Sequence, residues 1–146
     1  MAYVQQHGQT TEAEYPYTSG AGQSGSCLQK GKPAVYVSSY TNVPRNSAKQ
    51  LLAAIAQGPV SVTVEADTAT FQGYTGGILN SAKCGTNLDH AITAVGYGTK
   101  DGQSYYIVRN SWGPSWGDAG YIMIAAVEGT AGICGIQQSS VWPTMR

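Results

Sequence analysis

One stretch of the chain carries apolar residues at the spacing of a helix face. The stretch covers residues 48–57 and stops at Gly58-Pro59, a pair that ends helices. Asn46 or Ser47 stands where an N-cap is needed. The apolar face consists of Ala48, Leu51, Leu52 and Ile55. The pattern predicts one clear helix.

Downstream of this helix the period of the pattern changes from a helical spacing to two. Over residues 60–64 valine alternates with serine and threonine, as in a half-buried strand. A Lys-Asp-Gly turn at 100–102 and a glycine-rich stretch at 113–120 separate later apolar segments. Those segments predict strands over residues 90–98, 104–110 and 120–126. The result is a meander of antiparallel strands.

The N-terminal part of the chain has weaker patterns. Residues 2–7 have the character of the last turns of a helix that ends at Gly8, with no capping residue ahead of them. A helix without a start indicates a missing preceding segment. Gly and Ser dominate residues 18–34, which are predicted to form a long loop.

Composition and charge exclude several classes of function. Eight basic residues balance eight acidic ones, so electrostatics favours neither nucleic acid nor an anionic membrane as a partner. No apolar run approaches the roughly 20 residues of a membrane span. Residues 1–8 also lack the hydrophobic centre of a signal peptide.

The three cysteines are Cys27, Cys84 and Cys134, and none belongs to a C-x-x-C pair. Structural zinc sites use such pairs, so we predict no metal site. An odd number of cysteines leaves one disulfide and one unmatched thiol, or a bridge to another chain.

One histidine and one asparagine are predicted to be neighbours. In a hairpin that turns near residues 100–102, His90 lies opposite residues 110–113. The Asn110 side-chain carbonyl could therefore accept the imidazole N–H and fix the ring without adding a negative charge. Such a neutral acceptor suits an imidazolium that is paired with a thiolate, as in a cysteine nucleophile site.

Trp112 follows Asn110 by two residues and could lie over the His–Asn hydrogen bond, excluding water from it. The alternative is that Trp112 and Trp116 are ordinary core aromatics and that His90 is an interior histidine with a structural role.

Taken together, these residues resemble the histidine and asparagine motifs of papain-like cysteine peptidases. The motifs are Asp89-His90-Ala91, Gly96-Tyr97-Gly98 and Asn110-Ser111-Trp112-Gly113 continued to Trp116-Gly117. Further likenesses are Glu14–Tyr17 before Cys27, Gly58–Val62, Tyr74–Ile78 before Cys84, and Cys134–Ile136. The resemblance spans nearly all 146 residues.

This resemblance implies a fold and a division of the chain. The expected class is α+β, the C-terminal part of the papain-like fold: an antiparallel, barrel-like sheet with one clear helix and long loops. Residues 1–28 would be the remnant of the helical domain, and residues 29–146 the β-rich domain that carries His90 and Asn110.

The resemblance also implies roles for the site residues. His90 would act as base and then acid, Asn110 would orient it, and Trp112 would shield the pair. Cys84 and Cys134 would form a disulfide. Cys27 would be left unpaired, because its partner in the family lies in the N-terminal portion. No metal or organic cofactor is implied.

Five further residues match the family's substrate cleft. Thr63, Ala91 and Ser139 would line the main side-chain pocket, while Leu88 and Asp89 would form its wall and peptide-contacting backbone. A roomy, uncharged pocket accepts bulky apolar side chains. Asp89 adjoins His90, but neighbouring strand residues point to opposite faces, so Asp89 is not expected to hold the imidazole.

The family's nucleophile segment, C-G-x-C-W with a preceding glutamine, does not occur in this sequence. We therefore expect a cysteine-type peptidase portion that is inactive without an N-terminal Cys-bearing segment. Its other partners would be peptide or protein substrates and protein inhibitors, in a secreted, vacuolar or lysosomal setting. The rival interpretation is a non-catalytic structural or binding module. A redox protein that uses Cys27 is disfavoured because no C-x-x-C or basic neighbour accompanies it.

Overall fold

The computed structural model describes residues 1–28 and 31–145 of the chain. Its helices are α1 (Ala2–His7), α2 (Ala48–Ile55) and α3 (Ala69–Gln72), with short 3₁₀ helices at Ala82–Cys84 and Ile133–Gly135. Its strands are β1 (Val37–Asn42), β2 (Val60–Val64), β3 (Ile78–Leu79), β4 (His90–Lys100), β5 (Gln103–Arg109), β6 (Tyr121–Ala125) and β7 (Ser140–Met145). The four strands and the main helix predicted from the pattern are confirmed within two residues at each end.

Helix α2 begins where the sequence predicts, and a residue far along the chain helps to cap it. Ser47 is the N-cap, and its hydroxyl accepts from Gln50 N at 3.3 Å. The Glu128 carboxylate accepts from Ser47 Oγ at 2.9 Å and from Lys49 N at 2.8 Å. These hydrogen bonds lower the pKa of Glu128, the one from Lys49 most. A carboxylate at this end also complements the helix dipole.

The seven strands form one sheet in the order β1-β7-β2-β4-β5-β6-β3. The pairs β2–β4, β2–β7, β4–β5 and β5–β6 are antiparallel, whereas β3–β6 is parallel. The sheet described is open, with β1 and β3 at its edges, and with one longer helix it agrees with the expected α+β class. The two-residue strand β3 pairs with β6. The other edge of β3 has no neighbouring strand in the described part of the chain.

The hairpin of β4 and β5 has the predicted turn. Lys100 pairs with Gln103, so Asp101 and Gly102 form a two-residue loop with φ angles of 51° and 77°. Positive φ at both positions is the signature of a type I′ turn, for which Asp-Gly is a preferred sequence. A bulge between Ala94 and Gly96 shifts the register toward the open end of the hairpin.

The core lies on one face of the sheet, under α2. Its largest fully buried side chains are Tyr106, Phe71, Leu51, Ile122, Ile124, Ile136, Val60, Val62, Val64 and Val108. Tyr106 donates to Gln137 Oε1 at 2.9 Å, which satisfies its buried hydroxyl. The predicted disulfide between Cys84 and Cys134 is present and joins the two 3₁₀ helices.

The chain forms two compact units. One consists of Met1–Tyr40 and the C-terminal residues from Pro143, and the other of Thr41–Trp142. The predicted domain boundary between residues 28 and 29 adjoins Gln29 and Lys30, which lie outside the described residues, and it stays a prediction. Within the described part of 1–40, only Val37 belongs to the buried hydrophobic residues. Its exposed large hydrophobics are Met1, Tyr3, Tyr17, Leu28, Val35, Tyr36 and Tyr40.

The described residues contain neither a membrane-spanning helix nor a cluster of metal-ligating side chains. No helix within them has the length and apolar character needed to span a bilayer. The same residues contain no group of three or more His, Cys, Asp or Glu side chains arranged to hold a metal ion.

Candidate active site

The ends of two neighbouring strands bring His90 and Asn110 together. His90 is the first residue of β4, and Asn110 directly follows β5. His90 Nε2 lies 2.9 Å from Asn110 Oδ1. The backbone N–H of Asn110 donates to Gly120 O at 2.9 Å, which fixes the backbone at this residue. The hairpin register thus places these two side chains in contact.

The hydrogen bonds of Asn110 determine which imidazole nitrogen is free. Ser111 N donates to Asn110 Oδ1 at 2.7 Å, so the atom in that position must be the oxygen. His90 Nε2 must then be the donor in its bond to the same oxygen. In the neutral ring Nδ1 therefore carries the lone pair and is the nitrogen that can take a proton.

The amide nitrogen of Asn110 differs from its oxygen in hydrogen bonding. Asn110 is 8% exposed, and Nδ2 is buried without a hydrogen-bond partner among residues 1–28 and 31–145. A buried donor without an acceptor costs about 1–3 kcal/mol. Such donors in folded proteins nearly always have an acceptor.

Aromatic side chains surround the imidazole. The Trp112 ring lies 5.1 Å from the His90 ring and is tilted by 31°. Trp112 is 40% exposed, so it is not an ordinary core aromatic. Phe71 is fully buried and lies edge-on to His90 at 6.4 Å and to Trp112 at 5.6 Å. Trp116 packs against the core and stacks on Phe71 at 5.1 Å.

Phe71 is a site residue that the sequence analysis missed. It is the single phenylalanine of the chain and sits on α3, a helix of four residues that is too short to give an apolar period. Nothing in the local pattern connects it to His90, 19 residues downstream. Its contacts with His90, Trp112 and Trp116 are apparent only after folding.

Asp89 binds the backbone instead of the imidazole. Its Oδ1 accepts from Ala66 N at 2.8 Å, and its Oδ2 accepts from Asp67 N at 3.2 Å. These bonds fasten the start of β4 to the residues that follow β2. Asp67 therefore lies near a second carboxylate. Reduced hydration, followed by the charges of Asp89 and Glu65, raises the pKa of Asp67.

We expect Asp67→Asn to stabilise this chain at neutral pH. Because the folded state raises the pKa of Asp67, its ionised form disfavours folding above that pKa, and the penalty disappears below the unfolded value. The gain in melting temperature should thus be largest near pH 7 and vanish below about pH 4, the range of an ordinary Asp. Thermal unfolding at pH 7, 5 and 3.5 measures it.

Asp118→Asn is the matched control for this prediction, because Asp118 is an exposed carboxylate in the same unit. It should show no comparable gain. A gain for Asp67→Asn that does not change with pH would contradict the assigned rise in the pKa of Asp67.

Three of the five predicted cleft residues lie side by side. Thr63 pairs with Ala91 across β2 and β4, and its hydroxyl donates to Ser139 O at 3.0 Å. This bond satisfies the donor of the Thr63 hydroxyl. Leu88 packs against Gly135, where an added Cβ would come within 2.8 Å of Leu88 Cδ2.

Among the described residues, the compact unit that contains His90 holds no free thiol. Cys84 and Cys134 are bonded to each other. Cys27 is a free, exposed thiol, but it belongs to the other compact unit, where it lines cavities of 350 and 310 Å³.

The contact between His90 and Asn110 agrees with the family of proteins to which this chain is similar. Residues 1–144 match the model of the papain family cysteine proteases. Mexicain of Jacaratia mexicana is 45% identical over 146 residues, which cover 98% of this chain and 64% of mexicain. Papaya proteinase 4 of Carica papaya is 44% identical over 98% of this chain and 41% of its own length. The chain thus spans less than two thirds of these curated relatives.

Solved structures give the same result. The bromelain protease of Ananas comosus in complex with the E64 inhibitor has a TM-score of 0.87 and 39% identity, covering 99% of this chain and 67% of that chain. The Amb a 11 cysteine protease, a ragweed pollen allergen in its proform, has a TM-score of 0.88 and 34% identity, covering 99% and 45%.

Proposed function

Because the chain belongs to the papain family of cysteine proteases, we propose that it supplies the histidine and asparagine of a peptidase that cleaves peptide bonds through a thioester. The observation that carries this proposal is the 2.9 Å contact of His90 Nε2 with Asn110 Oδ1, which leaves Nδ1 available for proton transfer. A segment outside this sequence would supply the thiolate.

In the proposed reaction the thiolate attacks the peptide carbonyl carbon, and the carbonyl π electrons move to oxygen. When the tetrahedral adduct collapses, the imidazolium of His90 gives its Nδ1 proton to the leaving amine. Neutral His90 then takes a proton from a water molecule that attacks the thioester. Release of the acid regenerates the thiolate and the imidazolium. Asn110 accepts from Nε2 throughout, so the same tautomer serves both half-reactions.

Several features of the chain support a need for another segment. The described residues of 1–40 expose most of their large apolar side chains and bury little, as expected of a surface that packs against more protein. Cys27 is free and exposed, and we propose that it pairs with a cysteine of that segment. The buried Asn110 Nδ2 also lacks an acceptor in the described part of the chain.

Thr63, Ala91 and Ser139 suggest the substrate class. Their side chains are small and uncharged, and the Thr63 hydroxyl is already bonded. We propose that they receive a bulky apolar side chain of a peptide substrate. Protein inhibitors and the E64 inhibitor would occupy the same cleft. The Cys84–Cys134 disulfide supports a secreted, vacuolar or lysosomal setting, where it would stay oxidised.

Co-refolding tests the proposal. The chain is refolded under oxidising conditions with the part of mexicain that lies N-terminal to the stretch matched by this chain, which would provide the Cys-bearing segment. We expect hydrolysis of a peptide ester and equimolar labelling by E64, whereas the chain alone should show neither. Full-length mexicain refolded in the same way is the positive control. If the complex assembles but is inactive while the refolded mexicain control is active, the proposal is wrong.

A non-catalytic binding module is the second candidate, and the missing nucleophile motivates it. Intact mass with and without reduction separates the two. Release of a cysteine-containing second fragment on reduction favours the peptidase. A monomer of 15.3 kDa with one free thiol and a sharp melting transition favours the module.

A further inference from the structure

We propose that Phe71 is a positioning residue of this site, which holds the His90 imidazole in the rotation that keeps Nε2 on Asn110 and Nδ1 toward the nucleophile. The catalytic part of this inference, the effect of Phe71 on proton transfer, rests on the proposed function. Its geometric content, the immobilisation of His90 by Phe71, can be tested on this chain alone.

A single hydrogen bond does not fix an aromatic ring. The imidazole can still turn about the line that joins Nε2 and Asn110 Oδ1, and each turn moves Nδ1 sideways. Contacts with other rings at different angles remove this freedom. The Trp112 ring is tilted by 31° from the imidazole plane, whereas the Phe71 ring meets it edge-on at 77°. Together these two orientations define one rotation of the ring.

Phe71 is the more rigid of the two supports. Trp112 is 40% exposed and lies in the glycine-rich loop that follows β5, while Phe71 has no exposed surface. Phe71 also contacts Trp112 edge-on and stacks on Trp116. Because protein interiors are close-packed, a shift of Phe71 would change its own contact with the imidazole and would also displace Trp112, the other ring against the imidazole.

Helix α3 is itself held at both ends, which keeps Phe71 in place. Thr68 is the N-cap: its hydroxyl accepts from Phe71 N at 3.4 Å and donates to Cys84 O at 3.4 Å. At the other end Trp116 Nε1 donates to Gln72 O at 3.1 Å. The position of Phe71 is thus tied to the disulfide-bonded Cys84 on one side and to the tryptophan loop on the other.

The test uses ¹⁵N-labelled chain, in which the two histidines give separate imidazole signals. In the wild type we expect His90 as the Nε2–H tautomer with slow exchange of that proton with water. In Phe71→Leu we expect exchange roughly 10-fold faster or more, as access of water to the bond increases, and a mixture of tautomers. His7 lies in the other unit, and its signals are the internal control.

Two further variants separate positioning from general loss of stability. Leu51→Ala removes a fully buried side chain of α2 and should lower the melting temperature while leaving the His90 signals unchanged. Phe71→Met keeps most of the volume without a ring and should behave like Phe71→Leu at His90. If both Phe71 variants are destabilised but retain wild-type His90 exchange, the inference is overturned.

The co-refolded peptidase gives the catalytic readout. Phe71→Leu should lower kcat about 10-fold with little change in KM, because it misplaces a proton-transfer group and spares the substrate pocket. Unchanged kcat would overturn the catalytic part of the inference. A wild-type complex without turnover would overturn the proposed function, and the NMR comparison alone would then decide the role of Phe71.

Discussion

Replacing His90 with alanine is expected to lower kcat/KM of the co-refolded peptidase by roughly 10³-fold or more. His90 carries both proton transfers of the proposed reaction, so its loss leaves the thiol without an imidazolium partner and the leaving amine without a proton donor. Peptide ester and peptide amide substrates should both be affected. Initial rates at equal concentrations of purified complex, determined from absorbance, measure the effect.

His7→Ala is the control for this prediction, since His7 is the other histidine of the chain and lies in α1. It should retain full activity. Asn110→Ala should give an intermediate loss, because the imidazole remains but can adopt other rotations. Activity that survives His90→Ala unchanged would contradict the role assigned to this histidine.

Removing the disulfide with Cys84→Ala and Cys134→Ala is expected to lower the free energy of unfolding by about 4 kcal/mol. The bond joins residues 50 positions apart, and such a closure greatly restricts the unfolded chain. Both sulfurs are buried, so the double variant also loses packing within the core. Urea unfolding followed by circular dichroism measures the change in midpoint and slope.

Cys27→Ser is the matched control, because it removes an exposed thiol without breaking a bond. It should unfold like the wild type when this chain is studied alone. Wild-type chain kept in a strong reductant should lose about as much stability as the double variant. If the double variant unfolds at the wild-type midpoint, the disulfide does not restrain the unfolded state as expected.

The sequence by itself determined those parts of the protein that depend on neighbours along the chain. The spacing of Leu51 and Ile55, the Ser47 cap and the stop at Gly58-Pro59 define α2, because helix formation depends on residues three or four apart. Asp101-Gly102 fixes the turn of the β4–β5 hairpin. Since a tight turn sets the register of its strands, the contact of His90 with Asn110 followed from local sequence.

The disulfide followed from the family resemblance, which the family comparison now supports. The spacing of three cysteines could not choose a pair. The roles of His90, Asn110 and Trp112 in catalysis stay predictions, although the distances among them suit those roles.

Only the tertiary structure decided the contacts between distant segments. Phe71 beneath His90, Glu128 at the start of α2 and the Asp89 carboxylate on the backbone after β2 join residues from separate elements. The placement of β7 between β1 and β2, and the open sheet, likewise arise from packing. Local patterns state which face of an element is apolar, but many partners can cover such a face. Burial and hydrogen bonding over the whole chain select one arrangement of these elements. That arrangement determines which side chains surround His90.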